Sequence, residues 1–150
     1  MEEAPRYPWQ PELPASDMPN HTEGRRTVEW KLELVAIPVS DVDRAKDFYT
    51  EKVGFNADHD HRVSDEVRFL QLTPPGSACS IALGTGIVDA PPGSVRGMQL
   101  VVSDINAARA ELVERGVEVS EVQDFGWGSF VFFSDPDGNG WAVQQLPARD

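Results

Sequence analysis

The stretch "VSDVDRAKDFYTEKVGF" spans Val39 to Phe55. Ser40 or Asp41 suits a helix N-cap, because a short side-chain oxygen can accept from the free N–H groups of the first turn. Val42, Ala45, Phe48 and Tyr49 recur at helical spacing and form one apolar stripe. Gly54 is the natural stop. The pattern returns: Val39-Ser40-Asp41-Val42 matches Val102-Ser103-Asp104-Ile105, 63 positions later. Ala45 then matches Ala108, and Glu51 matches Glu114. The second copy predicts a helix over "INAARAELVERG", with Ile105, Ala108 and Leu112 on one face and Gly116 as its end.

Each helix follows one strand and precedes three. "WKLELVAIPV" leads the first helix; "NADHDHRV", "EVRFLQLT" and "ACSIALG" follow it, with "TPPGSA" as a turn. "GMQLVVSD" leads the second; "VEVSEVQD", "GSFVFFS" and "WAVQQL" follow. Phe69, Leu72 and Pro75 fall against Phe130, Phe133 and Pro136. An internal duplication is the simplest account.

Alternation sorts the strand residues into two faces. One carries Val35, Ile37, Val39, Leu70, Leu72, Ile81 and Leu83, then Met98, Leu100, Val102, Val131, Phe133, Trp141 and Val143. All are apolar, as a face covered by a helix requires. The other carries Leu34, Ala36, Phe69, Gln71, Ser80 and Ala82, then Gly97, Gln99, Val101, Phe130, Phe132, Ala142 and Gln144. Small residues, phenylalanines and amides suit a ligand cleft better than a tight core. The plainer alternative is a half-exposed face.

The chain has 150 residues, enough for one compact domain, and a formal net charge of −12. Phosphate backbones would be repelled, and Arg25-Arg26 is the only basic pair, so nucleic acid is not an expected partner. No apolar run approaches the roughly 20 residues of a membrane span. "MEEAPRYPWQ" lacks the apolar centre of a signal segment. The single cysteine, Cys79, has small or apolar neighbours and reads as a buried thiol. A cytoplasmic setting is expected.

Residues 1–29 read as an extended arm before a domain over 30–150, with modules at about 30–88 and 95–147. Pro5, Pro8, Pro11 and Pro14 share a spacing of three, as in polyproline II. With Tyr7 and Trp9 among them, the arm would lie over its own domain or a partner subunit, or dock in a proline-reading groove.

Together "VSDVDRAKDFYTEKVGF", "GMQLVVSDINAARAELVERGV" and "FFSDPDGNGWAVQQL" resemble the vicinal oxygen chelate superfamily of glyoxalase I, bleomycin-resistance proteins and extradiol dioxygenases. The resemblance covers about residues 30 to 147. It implies an α+β fold: two tandem βαβββ modules forming a curved mixed sheet around a cleft, helices on the convex side, in a homodimer. Within it, the Asp135–Gly140 stretch reads as a turn and nothing more.

Metal-using members of that superfamily place His, Glu or Gln at four positions of the concave face. Here those positions carry Leu34; Ala82, or Ser80 in a shifted alignment; Gly97, or Met98; and Ala142. None is a usual divalent-metal ligand. Gln99 and Gln144 lie two residues from such positions, roughly 7 Å along their strands. No metal and no other cofactor is expected. Asp135, Asp137 and Asn139 begin like a calcium loop, but the twelfth place, which needs a bidentate acid, is Leu146.

His59 and His61 lie two apart, so one side of a strand would hold both. They read as a polar surface pair, or as an acid or base if that strand lines the cleft. Trp127, set between glycines in "DFGWGSF", reads equally as a loop anchor or as a cover for a planar ligand.

The function expected is metal-independent binding or sequestration of a partly apolar small molecule. Phe69, Trp127, Phe130 and Phe132 would supply walls, and Gln71, Gln99 and Gln144 hydrogen bonds. This resembles the bleomycin-resistance branch, where no catalytic residue is required. The alternative is a lyase or isomerase with a lost or non-standard metal site; the sorted cleft face holds no carboxylate or histidine, which counts against it. A third reading is a regulatory module whose proline arm binds a protein. Deleting residues 1 to 28 separates that one, since it alone then loses function with an intact domain.

Overall fold

The computed structural model describes residues 27–147. The prolines, Tyr7 and Trp9 of the arm lie outside them. The chain divides after Lys31. In the first unit Lys31 pairs with Glu29 at 3.3 Å.

The second unit holds β1 (Leu34–Ala36), α1 (Val42–Asp47, continued as a π-helix through Phe48–Val53), β2 (Asn56–Arg62), β3 (Arg68–Thr73) and β4 (Ser80–Thr85). It then repeats the order with β5 (Arg96–Val102), α2 (Ile105–Glu114), β6 (Gln123–Asp124), β7 (Ser129–Ser134) and β8 (Gly140–Gln145). Two four-stranded mixed sheets result, ordered β1-β4-β3-β2 and β5-β8-β7-β6. In each, the first strand runs parallel to the last and the other pairs are antiparallel. This is the α+β fold of two βαβββ modules.

Both helices start where the duplicated motif places them. Asp41 and Asp104 cap them, each accepting from the backbone N–H three residues on, at 3.1 Å. Gly54 closes the first at φ 91°, a left-handed conformation that glycine adopts without a Cβ clash. The widening into a π-helix leaves no trace in the 3.6-residue pattern. It includes Tyr49, whose hydroxyl is held by a partner remote in sequence.

The apolar strand face is the core face. Ile37, Leu70, Leu72, Ile81 and Leu83 join Val131, Phe133, Trp141 and Val143 in one buried cluster with Val42, Ala45, Ile105 and Leu112 from the helices. Two strands are shorter than their patterns: β1 pairs over three residues and β6 over two. Cys79 is half-buried in the turn before β4 rather than in the core.

The Asp135–Gly140 turn does more than reverse the chain. Buried Asp135 accepts from the Tyr49 hydroxyl at 2.7 Å, from Asn139 Nδ2 at 2.8 Å and from the N–H groups of Asp137 and Asn139 at 3.0 and 2.8 Å. The Tyr49 oxygen in turn accepts from Trp141 Nε1 at 2.9 Å. Asn139 Nδ2 also reaches the Pro38 carbonyl at 2.8 Å, and its oxygen accepts from Val95 N–H at 3.1 Å. Asp137 takes both Ser40 N–H (3.1 Å) and Ser40 Oγ (2.5 Å). The second module's turn thus grips the start and middle of the first module's helix. Burial, with the Asp135 carboxylate close by, holds the Tyr49 phenol far above the usual range.

A second polar cluster ties α1 to its own sheet. Arg68 donates to Asp60 through Nε (3.0 Å) and Nη2 (2.9 Å) and to Asp43 through Nη1 (2.8 Å); Lys46 reaches Asp60 at 2.9 Å. Hydrogen bonds from Arg68 and Lys46 hold Asp60 well below the usual carboxylate range.

Tyr49→Phe strips Trp141 Nε1 of its acceptor and Asp135 of a donor. Urea denaturation at neutral pH should show a loss of about 2–3 kcal/mol. Asp60→Asn should cost about 1–3 kcal/mol near neutrality. Because folding depresses the Asp60 pKa, its contribution is complete above about pH 4 and fades as pH falls toward the folded value. The gap between the two denaturation curves should therefore narrow on acidification.

Candidate ligand-binding face

The strand face turned away from the helices carries different chemistry on the two sheets. On the second sheet, Phe130 stands opposite Gln144 and Gln144 opposite Val101; Phe132 stands opposite Ala142 and Ala142 opposite Gln99. Phe130 and Phe132 stack with rings 6.0 Å apart and nearly parallel. Trp127 meets Phe130 edge-on at 5.1 Å and stacks on Phe125 at 5.7 Å. Four aromatic rings therefore run continuously from the β6–β7 connection onto the sheet. Phe130 is buried at 5% exposure, but Trp127 (65%), Phe125 (47%) and Phe132 (39%) stand open. Beside them Gln99 Nε2 donates to Gln144 Oε1.

On the first sheet, Gln71 faces Ala82 and Phe69 faces Gly84. The register slips between Ala57 and His59, leaving Asp58 as the extra residue of a bulge. His59 then pairs with Gln71 and His61 with Phe69, so both histidines share the open face. Their rings stack at 5.8 Å. The sequence left open which side of this strand holds the two histidines, and the register places them on the open face.

The expected residues are thus placed in two groups. Trp127, Phe130, Phe132, Gln99 and Gln144 come together on one sheet, while Phe69 and Gln71 lie on the other. Phe125 was missed in the sequence, although its spacing of two from Trp127 and the flanking glycine were visible. Gly128 was missed as well. A Cβ there would lie 2.8 Å from Gln144 Nε2 and 3.2 Å from the Phe130 ring, so the amide and the aromatic run close over a bare backbone.

At the four positions where metal-using relatives carry ligands, the side chains do not fit a metal. Leu34 pairs with Ser80, Ala142 lies opposite Gln99, and Gly97 falls in a second register slip, at φ 98°. Aliphatic side chains and a bare α-carbon cannot bind a divalent ion. Among the described residues, no three His, Cys, Asp or Glu side chains converge as an ion would require. No described helix is long and apolar enough to cross a membrane.

A cavity of about 350 Å³ opens elsewhere, between the β3–β4 turn, the end of the first helix, and α2 with the core side of β5. Core aliphatics line it, with Glu111 and Arg115 as its charged pair, 3.5 Å apart. It lacks the converging amides of the open face and holds a single aromatic ring, Phe133.

The sequence model of the Glyoxalase/Bleomycin resistance protein/Dioxygenase superfamily matches residues 31–143. The chain is 39% identical to the antibiotic binding protein TnmS3 of Streptomyces sp. CB03234, with a TM-score of 0.73 over 82% of this chain and all of that one. A glyoxalase/bleomycin resistance protein from the same strain is 42% identical, with a TM-score of 0.68 over 77% of this chain and all of its own. The uncharacterized protein YetH of Bacillus subtilis is 32% identical over 123 residues, 77% of this chain and 98% of YetH.

Gly128→Ala should push the Gln144 amide out of place and cost about 1–2 kcal/mol of stability. Side-chain amide resonances of Gln99 and Gln144 should shift together in NMR spectra of the variant.

Proposed function

The chain belongs to the glyoxalase/bleomycin resistance protein/dioxygenase superfamily, and from that premise we propose that it binds a partly apolar, planar small molecule on its open sheet face, without a metal. The observation that carries this reading is the aromatic run from Phe125 to Phe132. Large rings left open on a sheet lose hydrophobic stabilisation unless something covers them. Offset and edge-on rings give a planar guest broad contact, and the Gln99–Gln144 pair beside them can orient its polar edge. The antibiotic-binding relative at 39% identity supports the same class of activity.

The reading extends to a homodimer. The polar open face of one module and the aromatic face of the other lie on separate sheets, and a second copy would close them into a cleft. A ligand there would meet Phe69 and Gln71 on one side and Trp127, Phe130, Phe132, Gln99 and Gln144 on the other. With one cysteine, the chain can form no internal disulfide, which fits a reducing cytoplasm.

A lyase or isomerase is the second reading, and the bulge at Asp58 favours it. His59 and His61 stand on the open face, where an imidazole can act as acid or base near neutrality. Replacing both with alanine separates the two: binding survives, whereas turnover would not.

Fluorescence titration with a panel of planar aromatic antibiotics tests the main reading. At least one should bind, and Trp127→Ala and Phe132→Ala should each weaken it about tenfold or more with little loss of stability. Removal of residues 1–28 should leave affinity intact. Affinity unchanged in both aromatic variants would reject the open face as the site.

A further inference from the structure

Four polar side chains on the first sheet form a chain of hydrogen bonds with one possible direction. A carboxylate has no proton to give, so Asp58 only accepts. It takes Asn56 Nδ2 on Oδ1 at 2.8 Å and the Thr73 hydroxyl on Oδ2. Thr73 has then spent its proton, and its oxygen can only accept from Ser80 Oγ, 2.6 Å away. Ser80 is buried and has likewise spent its proton, so the partner at 3.4 Å must donate to it. That partner is Gln71, which therefore turns Nε2 toward Ser80. The order runs Gln71 to Ser80 to Thr73 to Asp58, each step set by the one after it. Asp58 sits below the usual carboxylate range, the Thr73 hydrogen bond being the main cause, as an anchoring acceptor should.

We propose that Asp58, through Thr73 and Ser80, fixes the Gln71 amide with its carbonyl oxygen toward the open face, so that a ligand presenting an N–H or O–H donor there is favoured. The inference rests on the open face being the ligand face. Asp58, Thr73 and Ser80 are positioning residues in this scheme, and Gln71 is the group that touches ligand. An amide can ordinarily flip to suit either a donor or an acceptor. Here the carboxylate removes that freedom, and selectivity follows from an amide that cannot turn round.

The direction can be reversed without disturbing the fold. In Asp58→Asn, the bond from Asn56 keeps the new side chain's oxygen in place and sets its Nδ2 against Thr73. Thr73 can then donate to Ser80, and Ser80 to the Gln71 carbonyl, which turns the NH₂ outward. Thr73→Val breaks the chain and frees the amide.

The test uses 2-naphthol and 2-methoxynaphthalene, which share a planar body while only the first donates a hydrogen bond. Wild-type protein should bind the naphthol about fivefold more tightly. In Asp58→Asn and Thr73→Val the ratio should fall toward one, with thermal stability close to wild type. A wild-type ratio of one, or a preference unchanged in both variants, overturns the inference while leaving ligand binding intact. Binding of neither probe to wild type overturns the inference, and the antibiotic titration decides separately whether the open face is the ligand face.

Discussion

The Tyr49 hydroxyl is the point on which the two modules turn. It donates to buried Asp135 and accepts from Trp141, so one oxygen from the first helix completes the polar needs of the second module's last turn and strand. Buried groups of this kind must be satisfied by one another, because water cannot reach them. Asn139 closes the arrangement by bonding Asp135 and the Pro38 carbonyl together. The relation between the modules is thus set by directional bonds inside an apolar cluster. That cluster supplies the bulk of the burial, with Trp141 packed edge-on against Tyr49 and Phe55.

Locking the modules through their core faces leaves both open faces free to diverge. The duplication supplied one frame twice, and the two copies then took opposite chemistry. The first module presents histidines, an amide and a directed hydroxyl chain around Phe69. The second presents four contiguous rings and an amide pair. A binding surface assembled from the two would have one side that reads polar groups and one that supplies stacking area.

Much of this frame was legible because the motifs carry their own rulers. The 63-residue spacing of the Val-Ser-Asp signals placed both caps, and parity sorted the core face correctly from Ile37 to Val143, although Val35 stays outside the cluster. Reading stopped short where one residue is added or a distant contact intervenes. The bulge at Asp58 shifts the β2 alternation by one and brings His59 and His61 onto the open face. The grip of Asp135 on Tyr49 joins partners 86 residues apart, which local periodicity cannot register. Trp127 stayed ambiguous for a related reason: its Gly-flanked setting says that the loop is special, and its exposure and stacking come from Phe125 and Phe130 across the β6–β7 connection.

The central claim is that the exposed aromatic run is a ligand face. It is tested most directly by mapping NMR shift changes as the tightest binder of the antibiotic panel is titrated in. The account predicts that the Trp127 indole N–H and the side-chain amides of Gln99 and Gln144 move first and furthest. Shifts confined to the cavity around Leu112 and Arg115, with the Trp127 indole unmoved, would contradict it.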